Sequence, residues 1–186
     1  MPDAFDLLEL PRRPWLDPHD VRRAFQERAR SLHPDSATGD AEQFAALNAA
    51  QQTLADPAAR LRLLAGDAPV PATPPDAELG FRIGTALQNA DTALTKHARA
   101  THPLARALVV TEIARARSAI DALLMAVVAH QRDLEKSLKA LDERWPDVTP
   151  GEIATLAGAA TFLARWRRQL EESRLALDIA SPMPTR

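Results

Sequence analysis

Residues 21–35 read VRRAFQERARSLHPD, and this stretch decides how the first third of the chain is interpreted. Its apolar residues recur in steps of three and four, the spacing that places side chains on one face of an α-helix. They are Val21, Ala24, Phe25, Ala29 and Leu32. Just before them, Asp17 can accept hydrogen bonds from the first helical amides, and Pro18 suits the first helical position. We therefore predict a helix over residues 17–32 that is ended by Pro34.

Further helical patterns lie on both sides of this segment. Residues 3–10 predict a short helix or turn that presents Phe5, Leu8 and Leu10. A third helix is predicted from about Asp40, with an apolar stripe formed by Phe44, Leu47, Gln51 and Leu54. The dipeptide Asp56-Pro57 ends that helix and starts a short fourth one, which carries Leu61 and Leu64. The first 65 residues are thus expected to form a compact helical domain.

A proline-rich stretch separates this domain from the rest of the chain. Residues 66–76 contain four prolines, which forbid a continuous helix and favour extended backbone. Beyond them, three apolar stripes predict an antiparallel three-helix bundle. The middle stripe, over residues 103–145, fits either one helix roughly 60 Å long or two shorter helices. The last opens with a capping box at Thr149-Pro150-Gly151-Glu152. The predicted division is a domain at 1–65, a linker at 66–76 and a bundle at 77–180.

Composition favours an all-α fold and narrows the possible partners. The 186 residues include 37 Ala and 25 Leu but only 7 Val and 5 Ile, so few residues favour strands. A net charge of −2 provides no global basic field for nucleic acid. We identify no secretory signal and no apolar run long enough to cross a bilayer, so we expect a cytoplasmic protein without a nucleic-acid or membrane partner.

The residue types also argue against catalysis and metal binding. The absence of cysteine excludes disulfides, thiol nucleophiles and thiolate zinc sites. His97 and His102 are five residues apart and would point in different directions on a helix. No glycine-rich phosphate loop occurs, and no Ser or Cys nucleophile is positioned beside His33 and Asp35. We expect no enzymatic activity, no metal and no cofactor.

The tripeptide His33-Pro34-Asp35 is the most informative motif. Alone, it can be read as a helix-ending proline between solvated polar residues. Its surroundings are AFDLLELP before it, VRRAFQERARSLHPD around it and FAALNAAQQTLADPAAR after it. Together these segments resemble the J-domain of the DnaJ family of co-chaperones. The segment LPRRPWLDPHDVRRAFQERARSLHPD and the carboxyl-terminal LDERWPDVTPGEIATLAGAATFLARWRRQLEE further resemble the HscB type of iron–sulfur assembly co-chaperone.

This resemblance implies a regulator that stimulates ATP hydrolysis by an Hsp70-type chaperone. His33, Pro34 and Asp35 would form the triggering loop, and four arginines would complement an acidic Hsp70 surface. These are Arg22, Arg23, Arg28 and Arg30. Each arginine can equally be read as part of a solvated helix face.

The resemblance also implies a client held by the bundle, and the HscB type implies that this client is an iron–sulfur scaffold protein. We assign client binding to Leu79, Phe81, Ile83 and Leu87. The segment ELGFRIGTALQN lacks the acidic run, containing Met and Leu, that grips the scaffold in HscB. Ser36 stands where many J-domains have lysine, and Gln51 stands at a third-helix position that is commonly aromatic. The alternative is a structural protein with a degenerate J-domain whose apolar stripes serve homo-oligomerisation.

Overall fold

The structure of the protein, a computed structural model, describes residues 2–32 and 41–180, and of Ser31 and Leu32 only the backbone. Within this part of the chain there are seven α-helices and no β-strand. They are α1 (Ala4–Leu8), α2 (Pro18–Leu32), α3 (Ala41–Ala55), α4 (Pro57–Ala65), α5 (Ala77–Arg99), α6 (Pro103–Glu143) and α7 (Pro150–Ala180). The all-α prediction is confirmed. The segment left open between one and two helices is one helix, α6, of 41 residues.

Local capping determines where several of these helices begin. The Asp17 carboxylate accepts a hydrogen bond from His19 N at 2.8 Å, and Asp56 accepts one from Ala58 N at 2.9 Å. Asp76 caps α5 by accepting from Leu79 N at 2.8 Å. At the start of α7, Thr149 and Glu152 exchange backbone-to-side-chain hydrogen bonds of 2.9 and 3.2 Å, which is the predicted capping box. Each cap supplies an acceptor for amide groups that lack a partner in the first helical turn.

The first three helices enclose one hydrophobic cluster. Helix α3 contacts both α1 and α2, and its buried Leu47, Ala50 and Leu54 face the interior. The other buried members are Phe5, Leu8, Leu16 and Val21. Of the stripe predicted on α2, Val21 belongs to this cluster and Ala24, Phe25 and Ala29 pack against it, while the Leu32 side chain lies outside the described residues. Phe44, also predicted on the stripe of α3, is only partly buried.

A second cluster combines residues from distant parts of the chain. Leu61 and Ala65 of α4 are buried together with Leu138 and Leu141 of α6. The first turns of α7 contribute Ile153, Ala154 and Ala157. The linker also approaches α7 closely, because a Cβ placed on Gly158 would lie 2.9 Å from the Pro71 carbonyl oxygen. The stretch predicted as a linker is therefore packed against α7 at Pro71.

The chain divides into two compact units whose bounds cut across α6 and α7. One unit combines Met1–Ala72 with Leu134–Ala160, and the other combines Thr73–Asp133 with Thr161–Arg186. These bounds differ from the expected 1–65, 66–76 and 77–180, because α4 shares its apolar core with the end of α6 and the start of α7. Whether the expected domains fold independently stays a prediction.

The second unit contains α5 and parts of α6 and α7. The ion pair between Lys96 and Glu112, at 2.8 Å, joins the end of α5 to the start of α6. Arg117 and Asp121 of α6 pair with Asp178 and Arg174 of α7, each at 2.9 Å. As the residue number rises along α6, it falls along α7 in these pairs, so the two helices are antiparallel. Asp76 and His130, 3.2 Å apart, join the other end of α5 to a later turn of α6, so these two helices are antiparallel as well. In the described ranges, none of the helices is both long and apolar enough to span a membrane.

Candidate functional site

The predicted triggering loop follows α2 directly. His33, Pro34 and Asp35 lie outside the described residues, and the helices on either side end at Leu32 and begin at Ala41. What the structure describes of the candidate site is therefore its framework, formed by α1, α2 and α3.

Three of the four predicted arginines share the exposed face of α2. At 3.6 residues per turn, Arg22, Arg23 and Arg30 fall within about 100° of one another, and all three are exposed. Arg23 pairs with Asp20 at 2.7 Å, one turn earlier on the same helix. Arg22 remains near its own turn, with its Nε 3.3 Å from the Pro18 carbonyl oxygen that accepts from it. The structure shows no hydrogen bond or ion pair from Arg30 to another described residue. Together they form a basic face on the exposed side of α2.

Arg28 points to the opposite side of α2. Its side chain is 32% exposed, and one guanidinium nitrogen donates to the Leu7 carbonyl oxygen at 2.7 Å. It also forms an ion pair with Glu9. Glu9 ends α1 with a left-handed backbone, at φ 51°. Arg28 thus fastens α2 to the carboxyl end of α1, and it is separate from the face shared by the other three predicted Hsp70-binding arginines.

The short helix α1 is held by polar contacts despite its five residues. Asp3 accepts hydrogen bonds from Phe5 N and Asp6 N, and the Asp6 carboxylate accepts from Asp3 N. Arg12 pairs with Asp3 and lies over the Phe5 ring at 5.3 Å. Partial desolvation would raise the pKa of Asp3, but the hydrogen bonds and Arg12 outweigh it and the pKa is lowered. These contacts keep Phe5 and Leu8 directed into the core.

Sequence reasoning did not single out Arg60. Its side chain is 3% exposed, and it donates to the Pro14 carbonyl oxygen at 3.1 Å and to the Leu54 carbonyl oxygen at 2.5 Å. Burial lowers its pKa, while Asp56 and Asp142 oppose that effect. Arg60 joins the end of α3 to the segment before α2. The sequence offers no signal that Arg60 is buried, because Arg62, another arginine two positions later on α4, is exposed.

The segment before α2 is fastened to α6 by a second arginine. Both oxygens of Asp142 interact with Arg13, at 3.1 Å from Nε and 2.8 Å from Nη2. The Lys139 ammonium lies 4.6 Å from the centre of the Trp15 ring. Through these contacts the helices of the candidate site are joined to the cluster that contains α4, α6 and α7.

The four predicted client-binding residues do not form one exposed surface. Leu79 and Ile83 are buried, and Leu87 is partly buried. Phe81 is 77% exposed and is the member of the set available to a partner. It lines a cavity of about 570 Å³ between α5 and α6.

Over residues 2–32 and 41–180, no three His, Cys, Asp or Glu side chains lie close enough together to hold a metal ion. His130 is hydrogen-bonded to Asp76 at 3.2 Å and lies beside the start of α5. His130 and Asp76 are therefore a pair without a third ligand side chain in the part of the chain that is described.

Comparison with known proteins finds a similarity in the amino-terminal part of the chain. No curated protein and no solved structure matches it significantly. A family model does match over residues 3–62, which comprise α1, α2, α3 and most of α4 together with residues 33–40, which lie outside the described part of the chain. The matched family is the DnaJ domain, so this third of the all-α chain is similar to a J-domain.

Proposed function

We propose that this protein is a co-chaperone that binds an Hsp70-type chaperone and stimulates its ATPase. The observation that carries the proposal is the DnaJ-domain match over residues 3–62, which includes the intact tripeptide His33-Pro34-Asp35. In this role the protein regulates hydrolysis that takes place on the Hsp70. Its own chain need not contain a nucleophile or a metal.

The proposed trigger is the tripeptide His33-Pro34-Asp35, in the segment that joins α2 to α3. The imidazole of His33 and the carboxylate of Asp35 are short polar groups, and Pro34 restricts the backbone between them. Presenting both groups from a restricted backbone reduces the entropy lost on binding. The position of the tripeptide immediately after α2 supports this role, because the helix packs on α3 and α1 through a buried cluster.

The proposed Hsp70-facing surface is the exposed side of α2. Arg22, Arg23 and Arg30 share it, and such charges mainly accelerate encounter and orient an acidic partner. Arg28 supports the same surface indirectly, by holding α2 on α1.

The test is the ATPase rate of the Hsp70 from the same organism, with and without the full chain. We expect stimulation by the parent protein, loss of stimulation by His33→Gln, and an unchanged melting temperature. The control is His102→Gln, which replaces an exposed histidine of the second unit and should stimulate like the parent. Equal stimulation by parent and His33→Gln would contradict the assignment of the trigger. No stimulation by the folded parent would contradict the co-chaperone function.

We further propose that the second unit holds the client and that the client is an iron–sulfur scaffold protein. The support for this finer assignment is the HscB resemblance of the segment before His33 and of the carboxyl-terminal helices. Because ELGFRIGTALQN differs in charge from the corresponding HscB segment, binding should require the cognate scaffold. Titration of the full chain with the scaffold from the same organism tests it. No detectable binding by the folded protein would contradict this client.

A further inference from the structure

The cavity between α5 and α6 is an open groove with an apolar floor. Its floor contains the buried side chains of Ala86, Ala93 and Ala116. Ala119 and Ala122 are exposed along the α6 side, and Phe81 stands at one end of the α5 side. Small side chains along two neighbouring helices allow a third helix to approach at the 8–10 Å typical of helix packing. We call this surface the α5–α6 groove.

The groove has the length of a short helix. On α5 its lining extends from Phe81 to Ala93, which at 1.5 Å per residue is about 18 Å. A helix of the same length has about three turns. The cavity volume of about 570 Å³ fits several side chains of such a helix and does not require a small molecule.

The charges on the rim are basic. Among the described residues that line the groove, Glu112 is the one acidic side chain, and it pairs with Lys96 at 2.8 Å. Arg82 and Arg115 are both exposed, and neither makes a hydrogen bond or ion pair with another residue in the described ranges. Once Glu112 is neutralised, two positive charges remain beside an apolar floor.

The antiparallel register places these two arginines apart along the groove. Lys96 pairs with Glu112 and Asp76 with His130, so Arg115 lies level with about position 92 of α5. Arg82 is therefore about ten residues, or about 15 Å, from Arg115 along the helix axis. A partner that neutralises both must carry carboxylates about ten residues apart on one helix.

We propose that the α5–α6 groove binds an acidic amphipathic helix of a client protein. The apolar stripe of that helix lies on the alanine floor and Phe81, and carboxylates on its flanks pair with Arg82 and Arg115. The inference rests on the proposed co-chaperone function in one respect only, namely that the occupant is called a client. The groove and its charges are properties of the described chain itself.

The test uses two synthetic peptides of 18 residues with the same leucine stripe at i, i+3, i+4 and i+7. One carries Glu at flanking positions ten residues apart, and the other carries Lys at the same positions. Fluorescence anisotropy with the full chain should give at least about tenfold tighter binding of the Glu peptide at low salt and a smaller preference at high salt. Hydrogen exchange should show protection by the peptide at residues 81–93 and 112–123.

Matched variants separate charge from shape. Arg82→Glu with Arg115→Glu should reverse the preference between the peptides, whereas Arg168→Glu, an exposed charge on α7, should leave it unchanged. Ala119→Trp should block both peptides while circular dichroism shows the parent's helical content. Equal binding of both peptides, or a preference unaffected by the double charge reversal, would overturn the proposal.

Two further readings distinguish this proposal from its alternatives. Sedimentation tests whether a second copy of the chain occupies the groove. If the protein is a dimer, if Ala119→Trp dissociates it and if the Glu peptide does not, the occupant is a second copy and the proposal is overturned. The Hsp70 ATPase assay is run on the same protein without peptide. If the protein binds the Glu peptide but does not stimulate the ATPase, the co-chaperone function is contradicted and the groove proposal is supported. If it stimulates the ATPase but does not prefer the Glu peptide, the groove proposal is contradicted and the co-chaperone function is supported.

Discussion

At the scale of single residues, two arginines of α2 that are two positions apart have different environments. Arg30 is exposed, and it makes no hydrogen bond or ion pair with another described residue. Arg28 is two-thirds buried, donates to the Leu7 carbonyl oxygen and pairs with Glu9. The resemblance to a J-domain implied Hsp70 binding for both, although Arg28 lies nearer the apolar stripe in the sequence. Their orientation about the helix axis separates a surface charge from a residue that fastens two helices.

Reversing Arg22 and Arg23 to Glu should slow association with the Hsp70 and leave the melting temperature nearly unchanged. Exposed charges act through a field that salt screens over about 10 Å at 0.1 M, so the defect should shrink as salt rises. Stopped-flow association at several salt concentrations measures it. The control reverses Arg165 and Arg168, which are equally exposed on α7. A defect independent of salt would show that the loss has a structural cause.

Arg28→Gln should behave in the opposite way. Removing the guanidinium leaves the Leu7 carbonyl without its donor and Glu9 without its cation, which typically costs about 1–3 kcal/mol of unfolding free energy. Urea denaturation measures the loss, which should depend little on salt. An unchanged unfolding free energy would show that α1 and α2 do not need this contact.

At the scale of the helices, α3 is the one that organises the amino-terminal cluster, because it contacts α1, α2 and α4. Leu47→Ala should lower the unfolding free energy by about 2–5 kcal/mol, since Leu47 is fully buried in that cluster. Phe44→Ala should cost less, because the Phe44 side chain is only partly buried. Gln52→Ala, on the exposed side of α3, serves as the control for helix propensity. Equal losses of unfolding free energy for the two substitutions would contradict the expected dependence on burial.

The capping box of α7 predicts a pH dependence. Hydrogen bonds from Thr149 and Arg144 lower the pKa of Glu152 from 4.5 to about 2. Because the folded state has the lower pKa, ionised Glu152 stabilises it above pH 4.5. That contribution is lost as pH falls from about 4.5 to about 2.

The corresponding experiment compares the parent with Glu152→Gln. The variant should be less stable than the parent at neutral pH, and the two should converge as the pH falls through this range. Unfolding free energies at a series of pH values measure the difference. Glu143→Gln changes an exposed carboxyl outside the capping box and should follow the parent. Parallel curves for parent and Glu152→Gln would contradict the role of the ionised cap.

At the scale of the whole molecule, two helical glycines offer a direct test of the close packing of Pro71 on α7. A Cβ on Gly158 would lie 2.9 Å from the Pro71 carbonyl oxygen, whereas one on Gly84 would meet nothing within 4 Å. Gly84→Ala should therefore raise the unfolding free energy by about 0.5–1 kcal/mol, because alanine loses less backbone entropy in a helix. Gly158→Ala should lower it. Stabilisation by both substitutions would show that Pro71 moves away without cost.

The sequence by itself determined the helices, most of their ends and the resemblance to a J-domain. These depend on local chemistry: apolar spacing, the acceptors Asp17, Asp56 and Asp76, and prolines at first helical positions act within one or two turns. Even the capping box at Thr149 could be read from four adjacent residues. The triggering tripeptide was identified in the same way and remains a prediction from the sequence and the family match.

Only the tertiary structure decided which residues from distant segments meet. It buried Leu79 and Ile83, left Phe81 exposed, turned Arg28 towards α1 and enclosed Arg60 between two carbonyl oxygens. It also packed α4 with the end of α6 and the start of α7, across the stretch predicted as a linker. The physical reason is that helical periodicity defines an apolar face without naming its partner. Which face is covered depends on side chains that are far away in the sequence and close only in the folded chain.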